Sequence, residues 1–371
     1  MSHAPAERAE RLAELVAERG LDQLLVGDLV RPGDSGPGAI ADSRWLTGFT
    51  GTSALAIVGA ESRVLLTDFR YTDRAEREVG EPFERVTASA RLLPELAARL
   101  RGRVGFDAAT TSVANLKRLE QAIEEGGSDA ELVAVEGLVS SLRRRKDETE
   151  QEAIAQAARL ADEVYELVLD QGLIGRAERE IARTAAARIR ELGAEPSFPT
   201  IVAAGENGAL PHAEPGEREI RDGDLVVWDM GALLDGYCSD CTRTFAAGEP
   251  SEDAREIYQL VQRAQAAGLE AVGPGVDGRD ADEVARSIIR DAGYEENFGH
   301  GLGHGVGLEI HEPPRMGPRS EDTLIEGDVV SVEPGVYLPG RFGVRIEDLV
   351  VITADGHRNL SSLPKELRVV G

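Results

Sequence analysis

Apolar and polar positions along this chain repeat with two different periods. Near the start, Leu12, Leu15 and Val16 recur at helical spacing, and Gly20 supplies a stop. The apolar runs Leu24 to Val26, Ala54 to Val58 and Val64 to Thr67 lie between polar or glycine-rich turns and predict strands. Arg91 to Leu100 reads as helix, Val104 to Phe106 as strand and Ser112 to Glu125 as helix. This mixture predicts an α/β domain over residues 1–140.

A charged run, Arg143 to Glu150, follows, and its plain interpretation is a solvated helix entry. Asp147 or Thr149 can cap the helical pattern that continues to about Leu173. Ala177 to Leu192 repeats the helical period. From Ser197 the chain becomes glycine-rich and strand-rich, with helices near Ala254 to Ala271 and Ala281 to Asp291. No repeat at solenoid periods and no low-complexity linker interrupts it, so residues 141–371 form the second expected domain.

Composition narrows the class. A length of 371 residues with 42% apolar content suits two domains with sizeable cores. No run of about 18 uncharged apolar residues predicts a membrane span. Met1 to Gly20 is charged and lacks a secretory pattern, which points to the cytoplasm. Two cysteines are too few for a disulfide scaffold. With 41 basic and 67 acidic residues the net charge is −26, which disfavours nucleic acid and anionic lipid as partners. Most of those carboxylates belong to a solvated surface; a few sit in apolar runs, where that account fails.

Asp229 closes the run Leu225 to Trp228, which reads as a buried strand, and a carboxylate there needs a partner or a metal. A turn near Leu234-Asp235-Gly236 would bring Asp240 beside it, and two close carboxylates repel unless a cation or proton intervenes. Glu333 ends the apolar strand Val329 to Val332, and Glu347 precedes another, Leu349 to Ile352. Arg345 and Glu347 would share a strand face, where a simple ion pair is the plainer explanation. Five glycines between Gly299 and Gly307 disfavour a helix, so His300, Leu302, His304, Val306 and Leu308 are expected on one face of an extended chain. The bare opposite face would admit neighbouring backbone. Asp229, Asp240, Glu333 and Glu347 together would bring four negative charges, which two divalent ions neutralise and one does not. With His304 as a nitrogen donor, such an oxygen-rich site suits Mn²⁺, Co²⁺ or Zn²⁺. A pair of ions about 3.5–4 Å apart can hold and acidify a bridging water and polarise a scissile carbonyl.

At these residues the sequence resembles the pita-bread metallopeptidases: Xaa-Pro aminopeptidases, prolidases and methionine aminopeptidases. The resemblance rests on Pro211 to Gly216, Trp228 to Gly231, Ser239 to Thr244, His300 to His304, Val332 to Gly335 and Arg345 to Asp348, in that order. Trp45 to Thr52 and Asp68 to Tyr71 are similar to the creatinase/prolidase N-terminal domain of the proline-specific members, a domain that methionine aminopeptidases normally lack. Met230 stands where other members often carry Phe, a conservative change.

The resemblance implies an α/β N-terminal domain with substrate-cleft and dimer contacts, then an α+β pita-bread catalytic domain. It implies that Asp229, Asp240, His304, Glu333 and Glu347 ligate two divalent ions, manganese first among them. Glu333 would also handle the proton of the attacking hydroxide. His212, His300 and His311 would hold substrate, stabilise the oxyanion or shuttle protons, and Arg345 would orient groups beside the site. The implied activity is hydrolysis of the bond between a peptide's first residue and a following proline, by a homodimer. Two alternatives on the same fold are a metal-free creatinase-type amidinohydrolase and a non-catalytic binding protein. The intact ligand set argues against both. Cys238 and Cys241 flank Asp240 without a second pair and read as small buried side chains rather than a zinc or redox motif.

Overall fold

The computed structural model describes residues 4–27, 37–88 and 92–371; Met1 to His3 and Arg91 of the expected N-terminal elements lie outside them. The chain forms two compact units, Met1–Arg143 and Arg144–Gly371.

In the first unit the helices are α1 (Ala4–Glu18), α2 (Pro37–Thr47), α3 (Thr72–Glu78), α4 (Leu92–Ala97), α5 (Val113–Gly126) and α6 (Leu138–Arg143). Its strands are β1 (Gln23–Gly27), β2 (Ala54–Gly59), β3 (Arg63–Asp68), β4 (Glu84–Ala88), β5 (Arg103–Asp107) and β6 (Glu131–Val135). They form one mixed sheet in the order β4-β3-β2-β1-β5-β6. The three predicted apolar runs are its central strands, and Leu25, Leu55, Ile57 and Leu66 pack against α4 and α5. Ser112 caps α5 by accepting from Asn115 N, and Gly127 ends it at φ 62°, a conformation glycine adopts without a Cβ clash.

Unit 2 opens with α7 (Glu148–Leu169) and α8 (Glu178–Glu191). Strands β7 (Glu195–Pro196), β8 (Ile201–Ala204), β9 (Asp224–Met230), β10 (Ala232–Leu234), β11 (Tyr237–Cys238) and β12 (Cys241–Ala247) follow. A second helix pair, α9 (Glu252–Ala271) and α10 (Gly278–Asp291), precedes β13 (Gly303–Gly305), β14 (Glu312–Met316), β15 (Val329–Val332), β16 (Gly335–Leu338), β17 (Phe342–Arg345) and β18 (Asp348–Thr353). Two short strands, β19 (Gly356–Asn359) and β20 (Val369–Val370), complete the unit. The larger sheets run β20-β12-β9-β8 and β14-β13-β15-β18-β19. Each helix pair covers its own core, one around Tyr165, Trp228 and Phe245, the other around Tyr258, Val332 and Ile346.

Two expectations need correction. The charged run Arg143 to Glu150 is not a wholly solvated helix entry. Asp147 does cap α7 in a reciprocal box with Glu150, but Arg143, Lys146 and Glu150 are buried. Carboxylates from elsewhere in each unit account for this: Arg143 meets the half-buried Asp42, and Lys146 meets the buried Glu312. The second concerns His300 to Leu308, where only Gly303–Gly305 is strand, with an irregular register at His304/Gly305. Leu302 and Val306 therefore enter different cores instead of sharing one face with His304. The bare glycine positions do admit backbone: a Cβ on Gly303 would fall 2.0 Å from Ser331 O, and one on Gly305 2.2 Å from Pro313 O.

Candidate metal centre

Antiparallel pairing of β9 with β12 sets Asp229 opposite Thr242, and Asp240 lies just before β12. The connecting turn uses Asp235 at φ 49° and Gly236 at φ 86°. Glu347 enters from the other half of the unit: its N–H donates to Thr242 O at 3.1 Å, which lays residues 345–347 alongside β12. Carboxylate oxygens of Asp229, Asp240 and Glu347 consequently lie within 4.8 Å of one another, all three buried. His304 and Glu333 complete the group from β13 and the end of β15. His304 Nε2 stands 3.6 Å from Asp240 Oδ2 and 3.3 Å from Glu333 Oε1.

The electrostatics call for a cation. Burial and then the neighbouring carboxylates push Asp240 and Glu347 well above the usual range. Burial also raises Asp229, against the opposing charge of Arg345. Burial pushes Glu333 up too, but the hydrogen bond and charge of His304 hold it down to about 2. Asp229 Oδ1 and Glu347 Oε1 are buried without a hydrogen-bond partner. Such orphaned oxygens are costly unless a proton or ion meets them. His304 Nδ1 lies 3.1 Å from Gly305 O, which can only accept, so Nδ1 carries a hydrogen; a second proton on Nε2 gives the bond to Glu333, and its loss leaves the Nε2 lone pair to serve as a ligand. These donors fit a pair of divalent ions.

Positioning contacts surround the group. Arg345 donates to Asp229 Oδ2 at 2.6 Å, Thr242 Oγ1 at 3.0 Å, Tyr337 OH at 2.9 Å and Pro211 O at 3.2 Å. Arg345 thus pairs with Asp229 rather than with Glu347. Thr242 Oγ1 passes its own hydrogen to Glu347 Oε2 at 2.8 Å. His300 Nδ1 meets Gly301 O at 2.8 Å, so its Nε2 accepts from Tyr337 OH at 2.8 Å. Both ring nitrogens of His300 are therefore engaged within the protein.

Asp229, Asp240, Glu333, Glu347, Arg345 and all of His212, His300, His304 and His311 line one cleft of about 680 Å³. His311 stacks edge-on against His304, with centroids 4.4 Å apart. Partial desolvation in the cleft and the charges of His304 and Arg315 lower His311 to about 4, so it is neutral at neutral pH. His212 is exposed on the wall formed by residues 211–215. Cys238 and Cys241 are buried and form no disulfide.

Three contributors escaped the sequence reading. Thr242 stands two residues after Asp240, and strand alternation was a usable signal for it. Tyr337 had none. Glu178, fully buried at the start of α8, accepts from Ala204 N at 2.8 Å, Asn207 Nδ2 at 3.0 Å and Gly216 N at 3.0 Å. It thereby clamps the segment that carries His212.

Residues 152–354 match the profile of Metallopeptidase family M24, and residues 8–145 match the Creatinase/Prolidase N-terminal domain. The chain belongs to metallopeptidase family M24. The M24 chain is 38% identical to an uncharacterised peptidase, YqhT, of Bacillus subtilis, over 98% of this chain and 100% of that one. Among solved structures, an Xaa-Pro dipeptidase from Bacillus anthracis superposes with a TM-score of 0.91 at 36% identity, covering 99% of this chain and 100% of that one. An X-Pro aminopeptidase from Thermotoga maritima gives 0.87 at 34%, covering 98% and 100%. The architecture is a creatinase/prolidase N-terminal domain followed by an M24 pita-bread catalytic domain.

Proposed function

We propose that this M24 chain hydrolyses the peptide bond between an N-terminal residue and a following proline. Asp229, Asp240, His304, Glu333 and Glu347 would hold two divalent ions, with manganese the expected metal and cobalt or zinc able to substitute. When bound, such ions supply Lewis-acid polarisation of the scissile carbonyl and acidify the attacking water.

Everything else falls to side chains. Glu333 Oε1, held by Ser331 Oγ at 3.0 Å, takes the proton from the attacking water and returns it to the departing proline nitrogen. Neutral His311 offers an N–H to the developing oxyanion. His212 closes the proline side of the cleft, and His300 works through Tyr337 by fixing the hydroxyl that Arg345 shares. Arg345 orients Asp229. A domain boundary near residue 140, a homodimer and a cytoplasmic site of action complete the proposal; no helix among the described residues is long and apolar enough to cross a membrane.

The observation that carries the proposal is the convergence of Asp229, Asp240 and Glu347 around two orphaned carboxylate oxygens. A metal-free amidinohydrolase would have no use for that arrangement. The test is hydrolysis of Ala-Pro and Ala-Pro-Ala-Ala by metal-stripped protein, with and without Mn²⁺ or Co²⁺. Metal-dependent cleavage of both marks an aminopeptidase, and of Ala-Pro alone a dipeptidase. Cleavage of neither by protein that binds two ions would overturn the substrate assignment and leave the metal centre standing.

A further inference from the structure

The charged run ahead of α7 contains a buried lysine that helix entry does not explain. Lys146 Nζ lies 2.5 Å from Glu312 Oε1, with the two side chains 1% and 3% exposed. Removing an ammonium and a carboxylate from water is expensive, and apolar replacement of such pairs often leaves a protein as stable or more so. Stability alone is therefore a poor reason for this pair, whose members stand 166 residues apart.

Its location supplies a better one. Glu312 opens β14 opposite Gly305, one residue from His304. Its carboxylate rests against Gly307, where a Cβ would fall 2.4 Å from Oε1. Along β14 the side chains alternate: Glu312, Pro314 and Met316 are buried, Pro313 and Arg315 exposed. His311 precedes Glu312, is exposed and lines the cleft. His311 sits in the bend that leads directly into β14, so holding Glu312 inward as the first strand residue fixes the backbone from which the His311 side chain projects to the cleft. A slip of one residue would put His311 in the place of Glu312. The β13–β14 ladder is irregular between His304 and Gly305, so it fixes this register weakly. Lys146 is itself anchored, its N–H donating to Gly327 O at 2.9 Å and its carbonyl accepting from Gln151 Nε2 at 3.0 Å.

We propose that Lys146 and Glu312 form a positioning pair that sets the register at the start of β14 and so aims His311 into the cleft. The role rests on the Xaa-Pro hydrolysis proposed above.

The test is a mutant cycle with K146M/E312L, H311A and the triple variant, assayed on Ala-Pro-Ala-Ala with Mn²⁺. K146M/E312L is expected to keep its thermal midpoint and metal stoichiometry and to lose about 10-fold or more in kcat/KM. In the H311A background the same replacement is expected to change kcat/KM less than about 2-fold, because the lost effect runs through His311. Full activity in K146M/E312L, or a loss that multiplies with that of H311A, would overturn the role. Should the double variant not fold, K146R and E312D carry the same cycle, each losing activity only where His311 is present.

A second readout uses metal-free protein: the His311 ring signal, assigned by its disappearance in H311A, should shift or broaden in K146M/E312L. An unchanged signal counts against the pair. Because that spectrum needs no substrate, it judges the pair even if the wild-type chain cleaves no Xaa-Pro peptide, an outcome that would instead sink the functional proposal.

Discussion

The two units bury their polar groups differently. Among the described residues of the first unit, the buried polar side chains are Gln23, Ser43, Thr47, Ser53, Thr67 and Asn115, with Arg143 the one formal charge, paired to Asp42. The second unit buries acids and bases along its whole length, from Lys146 and Glu178 to Glu347 and Asp348. Most of these meet a partner inside the protein. Asp328 meets Arg144, Asp282 meets Arg286, and Asp348 meets Arg243 and Lys365. Asp229 and Glu347 instead retain an oxygen with no partner, and both orphans face the same cleft. Buried charge alone marks the second unit as the chemical one. Two carboxylates with an unsatisfied oxygen on one cleft mark the metal centre within it; Asp162 Oδ1 is also unsatisfied but does not line that cleft.

That distinction breaks first at the ligands. Asp240→Ala and Glu347→Ala should each abolish binding of the second ion and lower kcat/KM by more than about 1000-fold, beyond the 10–100-fold usual for groups that only support ligands. Metal analysis of dialysed protein decides it: two tightly held ions in either variant would remove these residues from the ligand set.

Thr242→Val should come next. It removes the hydroxyl that accepts from Arg345 and donates to Glu347. The expected cost is about 10–100-fold in metal affinity, with the stoichiometry unchanged. Titration calorimetry with Mn²⁺ would show unaltered affinity if Thr242 were merely filling space.

How far the sequence revealed this contrast depends on which residues carried it. Asp229, Glu333 and Glu347 stood out because a carboxylate at the end of an apolar strand has few inexpensive explanations. The central strands β1, β2 and β3 were legible for the same reason, as apolar runs between turns. By contrast β4 and β6 lie at the sheet edges, and their residues, such as Glu84, Arg85 and Glu131, are too exposed to show a buried pattern. Lys146 was illegible in principle. A lysine in a run of charges looks solvated, and only the fold brings Glu312 to it.

A smaller effect separates the metal-loaded from the metal-free protein as pH changes. Asp240 and Glu347 start from ordinary values of 3.8 and 4.5 and are raised by folding. The metal-free native state therefore binds more protons than the unfolded chain. Its stabilisation from these groups is complete below those ordinary values and is lost as pH rises through the raised ones. Divalent ions must displace the same protons, so their binding strengthens with pH. The gap in Tm between Mn²⁺-loaded and EDTA-treated protein should widen from about pH 5 to about pH 8. A constant gap would mean that these carboxyls are already ionised without metal.

The smallest expected effect on the centre comes from damage to the other unit. Leu66 is fully buried in β3 and packs with Leu25, Leu55 and Ile57, so Leu66→Ala should cost about 2–5 kcal/mol of stability. The metal ligands and their supporting contacts all lie in residues 144–371, a unit with its own cores. Domains of this kind keep separate cores and can unfold separately. Calorimetry of L66A should therefore show the loss confined to one transition, while Mn²⁺ stoichiometry and affinity stay at the wild-type value. A fall in metal affinity matching the fall in stability would show that the two units fold as one cooperative body, and that the contrast in buried charge is one of composition without independence.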